Sequence, residues 1–198
     1  MSSLQTEEDD EDLGLLGRFA KAVHLEVVNF HPVQKAVSLA SRAIPLQVGN
    51  RLRASALRVY GVEVGAGTIV YGPPEMASAE EEGFAKMTIG KDCVIHIGCL
   101  FELGDTVTIG DRVTIGNGVM VITTTHQLGP RTHRAGTRIR HPVVIQDGAW
   151  IGARSVILPG VTVGAGAVVD AGSTVNKSVE PNTRVRGSPA RVVEELSP

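Results

Sequence analysis

The sequence predicts an all-β solenoid, in which short strands stack coil upon coil. Glycine follows many of its aliphatic residues, as at Ile109-Gly110, and supplies tight turns. Six is a multiple of the strand period of two, so a six-residue repeat returns each aliphatic side chain to one face, whereas a helix would scatter them. One unit cannot bury its own aliphatic face, so the units must stack. Aliphatic residues recur every six positions in two series: Ile97, Leu103, Ile109, Ile115 and Val121, then Ile145, Ile151, Ile157, Val163, Val169 and Val175.

A β-sandwich is the alternative fold, but its turns come about every 8–12 residues rather than every six. Composition favours the solenoid, because aromatic residues make up only 4% of the chain while glycine contributes 23 residues. Cys93 and Cys99 lie within the repeat and are expected to fill the core in a reducing compartment. With a net charge of −2, the composition does not suggest nucleic acid as a partner. Neither a signal peptide nor a long apolar run is found, so we expect a cytoplasmic protein without an integral membrane segment.

The N-terminal part divides into a tail and a cap. Residues 1–12 end in a run of acidic side chains and are predicted to form a disordered acidic tail. Apolar residues three or four apart predict short helices through 13–60, the last of them covering Asn50 to Tyr60. These helices are expected to cap the solenoid, whose open end exposes apolar core and unpaired strand edges. Residues 61–198 form the predicted solenoid domain with a C-terminal closing segment.

Two stretches interrupt the repeat. After a partial coil at Val62 to Val70, the segment Tyr71 to Lys86 loses the pattern and is predicted to be a surface loop. The repeat resumes at Met87, slips by two residues before Ile97 and then keeps its phase through Val121. A second break, from Gln127 to Pro142, is also predicted to be a loop. Loops of this length within a compact domain are more often functional than decorative.

Three motifs carry a family resemblance: Ile-Gly-Asp-Arg-Val-Thr-Ile-Gly-Asn-Gly-Val (109–119), Trp-Ile-Gly-Ala-Arg-Ser-Val-Ile-Leu-Pro-Gly-Val-Thr-Val-Gly (150–164) and Arg-Gly-Ser-Pro-Ala-Arg-Val-Val (186–193). The chain resembles the hexapeptide-repeat acyltransferases from roughly Arg51 to Glu194, in the branch of the maltose, galactoside and colanic-acid O-acetyltransferases. The resemblance implies a left-handed parallel β-helix, a homotrimer, acetyl-CoA as co-substrate and a saccharide or other small-molecule acceptor.

His126 is the candidate catalytic residue. The segment Thr-His-Gln-Leu-Gly-Pro (125–130) resembles the Thr-His-Pro-Leu-Asp-Pro of the galactoside-type enzymes, which carry their catalytic histidine there. The resemblance therefore implies that His126 is a general base, with direct transfer in a ternary complex and no acyl-enzyme. A neutral imidazole would take the proton of an acceptor hydroxyl as its oxygen attacks the thioester.

The resemblance also implies the remaining site residues. The acceptor-binding Asn of the galactoside-type enzymes aligns with His96 and their nearby Asp with Gly104, so a simple galactoside is not the expected acceptor. Glu194 stands where they place a further arginine, which removes one expected contact to a CoA phosphate. Small residues would let the pantetheine arm lie against the backbone, while basic residues would meet phosphates. The CoA-binding set is Ala153, Ala171, Asn176, Lys177 and Arg191, and the acceptor pocket is His96, Glu102 and Trp150.

Other functions remain open at this point. The acceptor could be a non-sugar hydroxylated metabolite or serine rather than a sugar. A zinc enzyme of the γ-type carbonic anhydrase class shares this solenoid, but its three histidines come from neighbouring coils, whereas His126, His133 and His141 crowd one loop. No metal is therefore expected. The solenoid could also serve as a non-catalytic scaffold, because fold does not fix function.

Overall fold

The computed structural model describes residues 49–77 and 86–197. The predicted acidic tail and the predicted helices before residue 49 lie outside the described residues. Residues 78–85 of the first predicted loop lie outside them as well. No helix within the described ranges is long and apolar enough to cross a membrane.

One helix, α1, spans Asn50–Val59, where the last helix of the predicted cap was expected. It follows Gly49, which takes a left-handed conformation with φ of 74°. The helix presents one apolar side to the solenoid, so Ala54 and Leu57 are buried within its hydrophobic core. It packs against the first two strands of the chain.

The strands form three parallel sheets, and each coil contributes one strand to each sheet. Sheet A contains β1 (Glu63–Val64), β4 (Met87–Ile89), β7 (Val107–Ile109), β12 (Val143–Ile145) and β15 (Thr162–Val163). Sheet B contains β2 (Ile69–Val70), β5 (Val94–Ile95), β8 (Thr114–Ile115), β13 (Trp150–Ile151), β16 (Val168–Val169) and β18 (Thr183–Gly187). Sheet C contains β3 (Glu75–Ala77), β6 (Leu100–Glu102), β9 (Met120–Val121), β14 (Val156–Ile157) and β17 (Thr174–Val175).

The chain passes through sheets A, B and C in turn, so three corners separate them. We call the turn after a sheet B strand corner BC and the turn after a sheet C strand corner CA. Coils 1 to 5 begin at β1, β4, β7, β12 and β15. At its C-terminal end the chain adds β19 (Ala190–Glu195), which pairs antiparallel with β18 and extends sheet B.

The interior consists mainly of columns of stacked apolar side chains, to which the strands and the corners between them both contribute. In sheet B every member of the column pairs with the equivalent residue of the next coil and is almost completely buried. In the regular coils each step along a column is 18 residues, as from Ile151 to Val169, which is three six-residue units. The sheet B column is Val70, Ile95, Ile115, Ile151, Val169 and Val185.

The predicted phase of coil 2 is wrong. Ile97 does not point inward but is 40% exposed in corner BC, and the inward residues are instead Ile89, Ile95 and Phe101. The two-residue slip therefore falls after Phe101, in the next corner, rather than before Ile97. The error arose because Ile97 is aliphatic and lies a multiple of six before Ile109, so the sequence supports both phases equally.

The first predicted loop also needs correction. Within Tyr71 to Lys86, residues Glu75–Ala77 form β3, which pairs with β6 and completes coil 1. The two prolines before it and the acidic side chain of Glu75 hid this edge strand, which tolerates such residues because only one neighbour requires hydrogen bonds.

Both cysteines are completely buried and free, as expected for core fillers. The Sγ of Cys93 lies 3.0 Å from the carbonyl oxygen of Gly110. Burial raises the pKa of Cys99 to about 11, so this thiol stays protonated and unreactive at neutral pH.

Candidate functional site

The second interruption of the repeat is a β-hairpin rather than the predicted loop. Strand β10 (Thr124–Leu128) leaves corner CA of coil 3 and pairs antiparallel with β11 (Ala135–Arg140). His126 lies directly opposite Arg138. Glycine, proline and many charges between Gln127 and Pro142 indicated a loop, although Thr-Arg-Ile-Arg (137–140) alternates as a strand does.

The base of the hairpin is held at Thr123, which is completely buried. Its N–H donates to Oε2 of Glu102 over 2.8 Å, and its Oγ1 lies 2.9 Å from the same oxygen. Its carbonyl oxygen accepts from the N–H of His141 over 2.9 Å, which closes the base of the hairpin. The residue directly before β10 is therefore fixed through its backbone and its side chain.

Glu102 reaches this base from the neighbouring coil. Besides Thr123, its carboxylate accepts from the hydroxyl of Thr124 over 2.6 Å and from the N–H of Gly104 over 3.2 Å. Burial alone would raise the pKa of Glu102, but the hydrogen bonds from Thr124 and Thr123 outweigh burial and hold it below its ordinary value. Glu102 is thus a charged anchor of the hairpin, and its predicted place in an acceptor pocket stays a prediction.

Gly104 makes the close approach of these groups possible. A Cβ atom there would lie 2.1 Å from Oγ1 of Thr124 and 2.9 Å from Oε1 of Glu102. The Asp that the galactoside-type resemblance places at this position would therefore require the side chains of Thr124 and Glu102 to move. In this chain the nearby carboxylate comes from Glu102 and is directed at the protein.

His126 lies exposed on β10, with Nδ1 2.8 Å from the carbonyl oxygen of Gly136 on β11. A carbonyl oxygen only accepts hydrogen bonds, so Nδ1 of the neutral ring carries the proton and Nε2 keeps its lone pair. The arrangement gives a fixed imidazole with a free basic nitrogen facing solvent, as a general base requires. A Cβ at Gly136 would come within 3.0 Å of the Gln127 carbonyl oxygen, so glycine allows this close crossing.

The predicted CoA-binding residues occupy two corners and the C-terminal hairpin. Ala153 and Ala171 are equivalent residues of coils 4 and 5 in corner BC, where the Ala153 carbonyl accepts from Gly172 N–H over 2.9 Å. Asn176 and Lys177 lie exposed in corner CA of coil 5, directly after β17. Ala171 and Lys177 therefore lie before and after β17, the edge strand of sheet C.

Arg191 lies exposed on β19, opposite Arg186 of β18. Asp170 holds Nε of Arg186 at 2.5 Å and Nε of Arg184 at 2.8 Å, and the hydrogen bond from Arg184 is the main reason that the pKa of Asp170 is lowered. Glu194 pairs with the same Arg184, with Oε2 3.2 Å from its guanidinium. The residue that replaces a family arginine thus takes part in an ion-pair network beside Arg191.

The other predicted acceptor residues lie on sheet B. The ring of His96 stacks on Tyr71 with centroids 5.1 Å apart, in corner BC of coils 1 and 2. Trp150 projects outward from β13 and is 55% exposed. Sequence reasoning missed Tyr71 as a partner of His96, although both directly follow an inward sheet B residue.

Within one chain the candidate site residues are divided between two corners, and Asn176 and Lys177 share corner CA with the hairpin of His126. His126 extends from corner CA of coil 3, whereas Ala153, Ala171 and His96 lie in corner BC. Neighbouring corners are six residues of extended chain apart, up to about 20 Å. Among the described residues, no three potential metal-ligating side chains converge on one point.

Comparison with known proteins agrees with this architecture. A family model described as bacterial transferase hexapeptide matches residues 142–177, and one described as hexapeptide repeat of succinyl-transferase matches residues 86–123. A structure of a hexapeptide-repeat acetyltransferase from Vibrio cholerae complexed with acetyl-CoA has a TM-score of 0.72 and 30% identity. The alignment covers 87% of this chain and 89% of that one.

Galactoside acetyltransferases are also similar. The galactoside O-acetyltransferase of Escherichia coli is 40% identical over 79 residues, 40% of this chain and 39% of that protein. A structure of a galactoside acetyltransferase in complex with coenzyme A has a TM-score of 0.69 and 28% identity, covering 83% of this chain and 79% of that one. The chain spans about two fifths of the length of the curated relatives it matches.

The fold and the repeat define a hexapeptide-repeat solenoid. The chain belongs to the hexapeptide-repeat acetyltransferases, which confirms the predicted family.

Proposed function

We propose that the protein is an acetyl-CoA-dependent O-acetyltransferase that acetylates a hydroxyl of a sugar or sugar-containing acceptor. The observation that carries this proposal is the fixed ring of His126, whose Nδ1 is bound by the Gly136 carbonyl and whose Nε2 faces solvent. Such a ring is oriented for proton transfer without any rearrangement of the hairpin.

The reaction follows from this orientation. Nε2 of His126 takes the acceptor hydroxyl proton while the hydroxyl oxygen attacks the thioester carbonyl carbon of acetyl-CoA. Collapse of the tetrahedral intermediate breaks the carbon–sulfur bond, and the protonated Nε2 returns the proton to the leaving thiolate. The products are an acetyl ester and free CoA. The Nδ1–H bond to Gly136 stabilises the imidazolium that forms transiently.

The comparisons support the donor and the class of acceptor. A similar structure is described with acetyl-CoA and another with coenzyme A. Similar proteins are named galactoside and maltose O-acetyltransferases. For this chain we propose that Ala153 and Ala171 contact the pantetheine arm, while Asn176, Lys177 and Arg191 contact the polar end of CoA.

We propose further that the active unit is a homotrimer. His126 and the residues proposed to bind pantetheine lie on different corners of one chain, so a second copy is needed to bring them together. The hairpin, with Leu128 89% exposed, would then face the neighbouring copy.

The remaining inferences rest on the family and on α1. We propose the left-handed sense of the coil because the chain belongs to this family. We also propose that the N-terminal segment caps the solenoid, since α1 already buries Ala54 and Leu57 against its first coil. The cytoplasmic location stays a prediction.

The test of the mechanism is His126→Ala. We expect the rate of acetyl transfer to fall by at least about 10², because a general base contributes on the order of 10²–10⁴. His133→Ala is the matched control, since His133 is an exposed histidine of the same hairpin and has no proposed role. Unchanged turnover in His126→Ala, or an equal loss in His133→Ala, would contradict the mechanism.

Binding of the donor is tested separately by thermal unfolding at one protein concentration. Acetyl-CoA at a hundred times its Kd stabilises a native protein by about 2.7 kcal/mol, which corresponds to a shift of about 5–10 °C for a chain near this size. Lys177→Glu should reduce the shift, and His126→Ala should not. If acetyl-CoA left the melting temperature unchanged, the protein would not bind the proposed donor, and the proposed function would be wrong.

A further inference from the structure

The hairpin that carries His126 is strongly basic. From Arg112 to Gln146 the sequence contains no Asp or Glu. The segment that forms the hairpin contributes four arginines: Arg131, Arg134, Arg138 and Arg140. The carboxylate of Glu102 lies at the base of the hairpin, but the four arginines still leave a local excess of positive charge, whose field attracts anions.

One of these arginines lies directly opposite His126 on the hairpin. His126 and Arg138 are direct partners across the two strands, and Thr124 and Arg140 are the next pair on the same face. Directly opposite residues of an antiparallel pair have Cβ atoms about 4.5–5.5 Å apart. The long side chain of Arg138 can therefore bring its guanidinium to the place where an acceptor hydroxyl must meet His126.

Arg138 has no protein anion to neutralise it among the described residues. Its side chain is exposed, and it forms no hydrogen bond or ion pair there. In contrast, Arg184 and Arg186 at the C-terminal end are held by Asp170. An uncommitted guanidinium next to a reactive group is available to a ligand carboxylate or phosphate, which it can bind through two parallel hydrogen bonds.

We propose that Arg138 is a specificity residue that selects an anionic acceptor, one with a carboxylate or phosphate close to the hydroxyl that is acetylated. This inference rests on the proposed function. The phosphates of CoA do not explain the arginine, because they lie at the far end of the neutral pantetheine arm when the thioester is at His126. The anion must therefore belong to the acceptor, or to a dicarboxylic acyl group on the donor.

The test measures kcat/KM with acetyl-CoA for three acceptors that share the same ring hydroxyls: glucose, glucuronate and glucose 6-phosphate. We expect an anionic acceptor to be preferred by about ten- to a hundred-fold, which is the range for one charge-assisted hydrogen-bonding group. Arg138→Gln should remove most of this preference. Arg131→Gln, on the same hairpin, is the matched control and should retain it.

Two further arms separate the possible sources of the anion. Succinyl-CoA could be used better than acetyl-CoA, and Arg138→Gln could reverse that order. In that case the guanidinium binds the carboxylate of the acyl group, and the proposal is overturned. A change confined to the KM for acetyl-CoA would overturn it in favour of donor binding. The proposal would also be overturned if glucose, glucuronate and glucose 6-phosphate were acetylated equally well, or if Arg138→Gln kept the preference for the anionic acceptors.

Failure of this proposal can be told apart from failure of the proposed function. If acetyl-CoA neither binds nor is turned over, the proposed function itself has failed. If acetyl-CoA binds but none of the three acceptors reacts, acceptor binding is followed through the ring-proton NMR signals of His126. Glucuronate, but not glucose, should shift these signals in the wild type and not in Arg138→Gln, and any other pattern rejects the proposal.

Discussion

Corner CA is built in different ways in successive coils. In coil 4 it is a tight turn through Leu158, Pro159 and Gly160, in which Gly160 takes a positive φ of 81°. In coil 3 the same corner opens into the hairpin of β10 and β11. The two corners stack on each other, because Gly160 N–H donates to the Pro142 carbonyl over 3.2 Å.

The difference shows how a repeat acquires a chemical site. The coils are fixed by inward aliphatic side chains that differ little from one another, so they offer a scaffold and no reactive group. The insertion costs the scaffold little, because its two ends lie where a turn would begin and end, with His141 N–H 2.9 Å from the Thr123 carbonyl oxygen. Loop-closure entropy rises only slowly with length once the ends are held together.

The largest expected effect comes from making corner CA of coil 3 like that of coil 4. Replacing residues 122–142 with Leu-Pro-Gly, the three residues that stand between Ile157 and Val161 in coil 4, removes His126 and Arg138 but none of the inward aliphatic residues. We expect acetyl transfer to fall by at least about 10². The circular dichroism spectrum of the folded solenoid should persist. Retained turnover, or loss of the folded spectrum, would show that the two corners are not interchangeable in this way.

A second large effect is expected when an inward side chain of the regular coils is shortened. Ile151 is completely buried between Ile115 and Val169, so Ile151→Ala leaves a cavity that neighbouring coils cannot fill. We expect a loss of about 2–5 kcal/mol in unfolding free energy. Thr108→Ala, on the exposed face of sheet A, should stay within about 0.5 kcal/mol. Denaturant unfolding measures both variants, and similar losses for the two would contradict the proposed core.

The regular coils could be predicted because each six-residue unit carries the complete pattern within its own local sequence. One inward aliphatic residue every six positions, with a turn between, identified the columns of coils 3 to 5 correctly. The rule failed in coil 2, where Ile95 and Phe101 fit the six-residue period as well as Ile97 and Leu103 do, and hydrophobicity alone cannot choose between the two pairs. The pairing register of β6 with β3 and β9 decides which residues point inward. That register depends on strands that are distant in the sequence.

The site was predictable in part. The resemblance pointed to His126, and the structure adds its hydrogen bond to Gly136. The anchoring by Glu102 could not be foreseen, because it joins residues 21 positions apart through a corner whose phase was misread. Arg138 was not recognised either, since its position opposite His126 depends on a strand pairing that the charged sequence concealed.

Glu102→Gln is expected to have an intermediate effect, because it disturbs the anchor and leaves His126 in place. A glutamine offers one acceptor oxygen and turns an NH2 group toward donors at Thr123 and Thr124. Loss of hydrogen bonds to a charged group costs about 1.5–3 kcal/mol. We expect a lower kcat with little change in KM for acetyl-CoA, as steady-state kinetics would show. An unchanged kcat would mean that the anchor does not position the hairpin.

The same residue predicts a pH dependence. The pKa of Glu102 is lowered in the folded protein, so its stabilising contribution is complete above the ordinary carboxyl pKa. That contribution is lost as the pH falls through the lowered value. The melting temperature of the wild type should therefore exceed that of Glu102→Gln at pH 7, and the difference should shrink on acidification. A difference that is constant with pH would argue that geometry, and not charge, holds the hairpin.

The smallest expected effect on a single chain is that of Leu128→Ser on the hairpin. Leu128 is 89% exposed, so its loss should change the unfolding free energy of the dissociated chain by no more than about 0.5 kcal/mol. If the hairpin meets a second copy in the trimer, however, Leu128 is buried there, and burying a leucine contributes about 1.5–3 kcal/mol. Sedimentation over a dilution series should then show trimers that dissociate at a concentration at least about ten-fold higher, because the contribution is lost once in each of three subunits. Leu52→Ser, on an exposed leucine of α1, is the matched control. Unchanged association in Leu128→Ser would place the contact between copies elsewhere than on this hairpin.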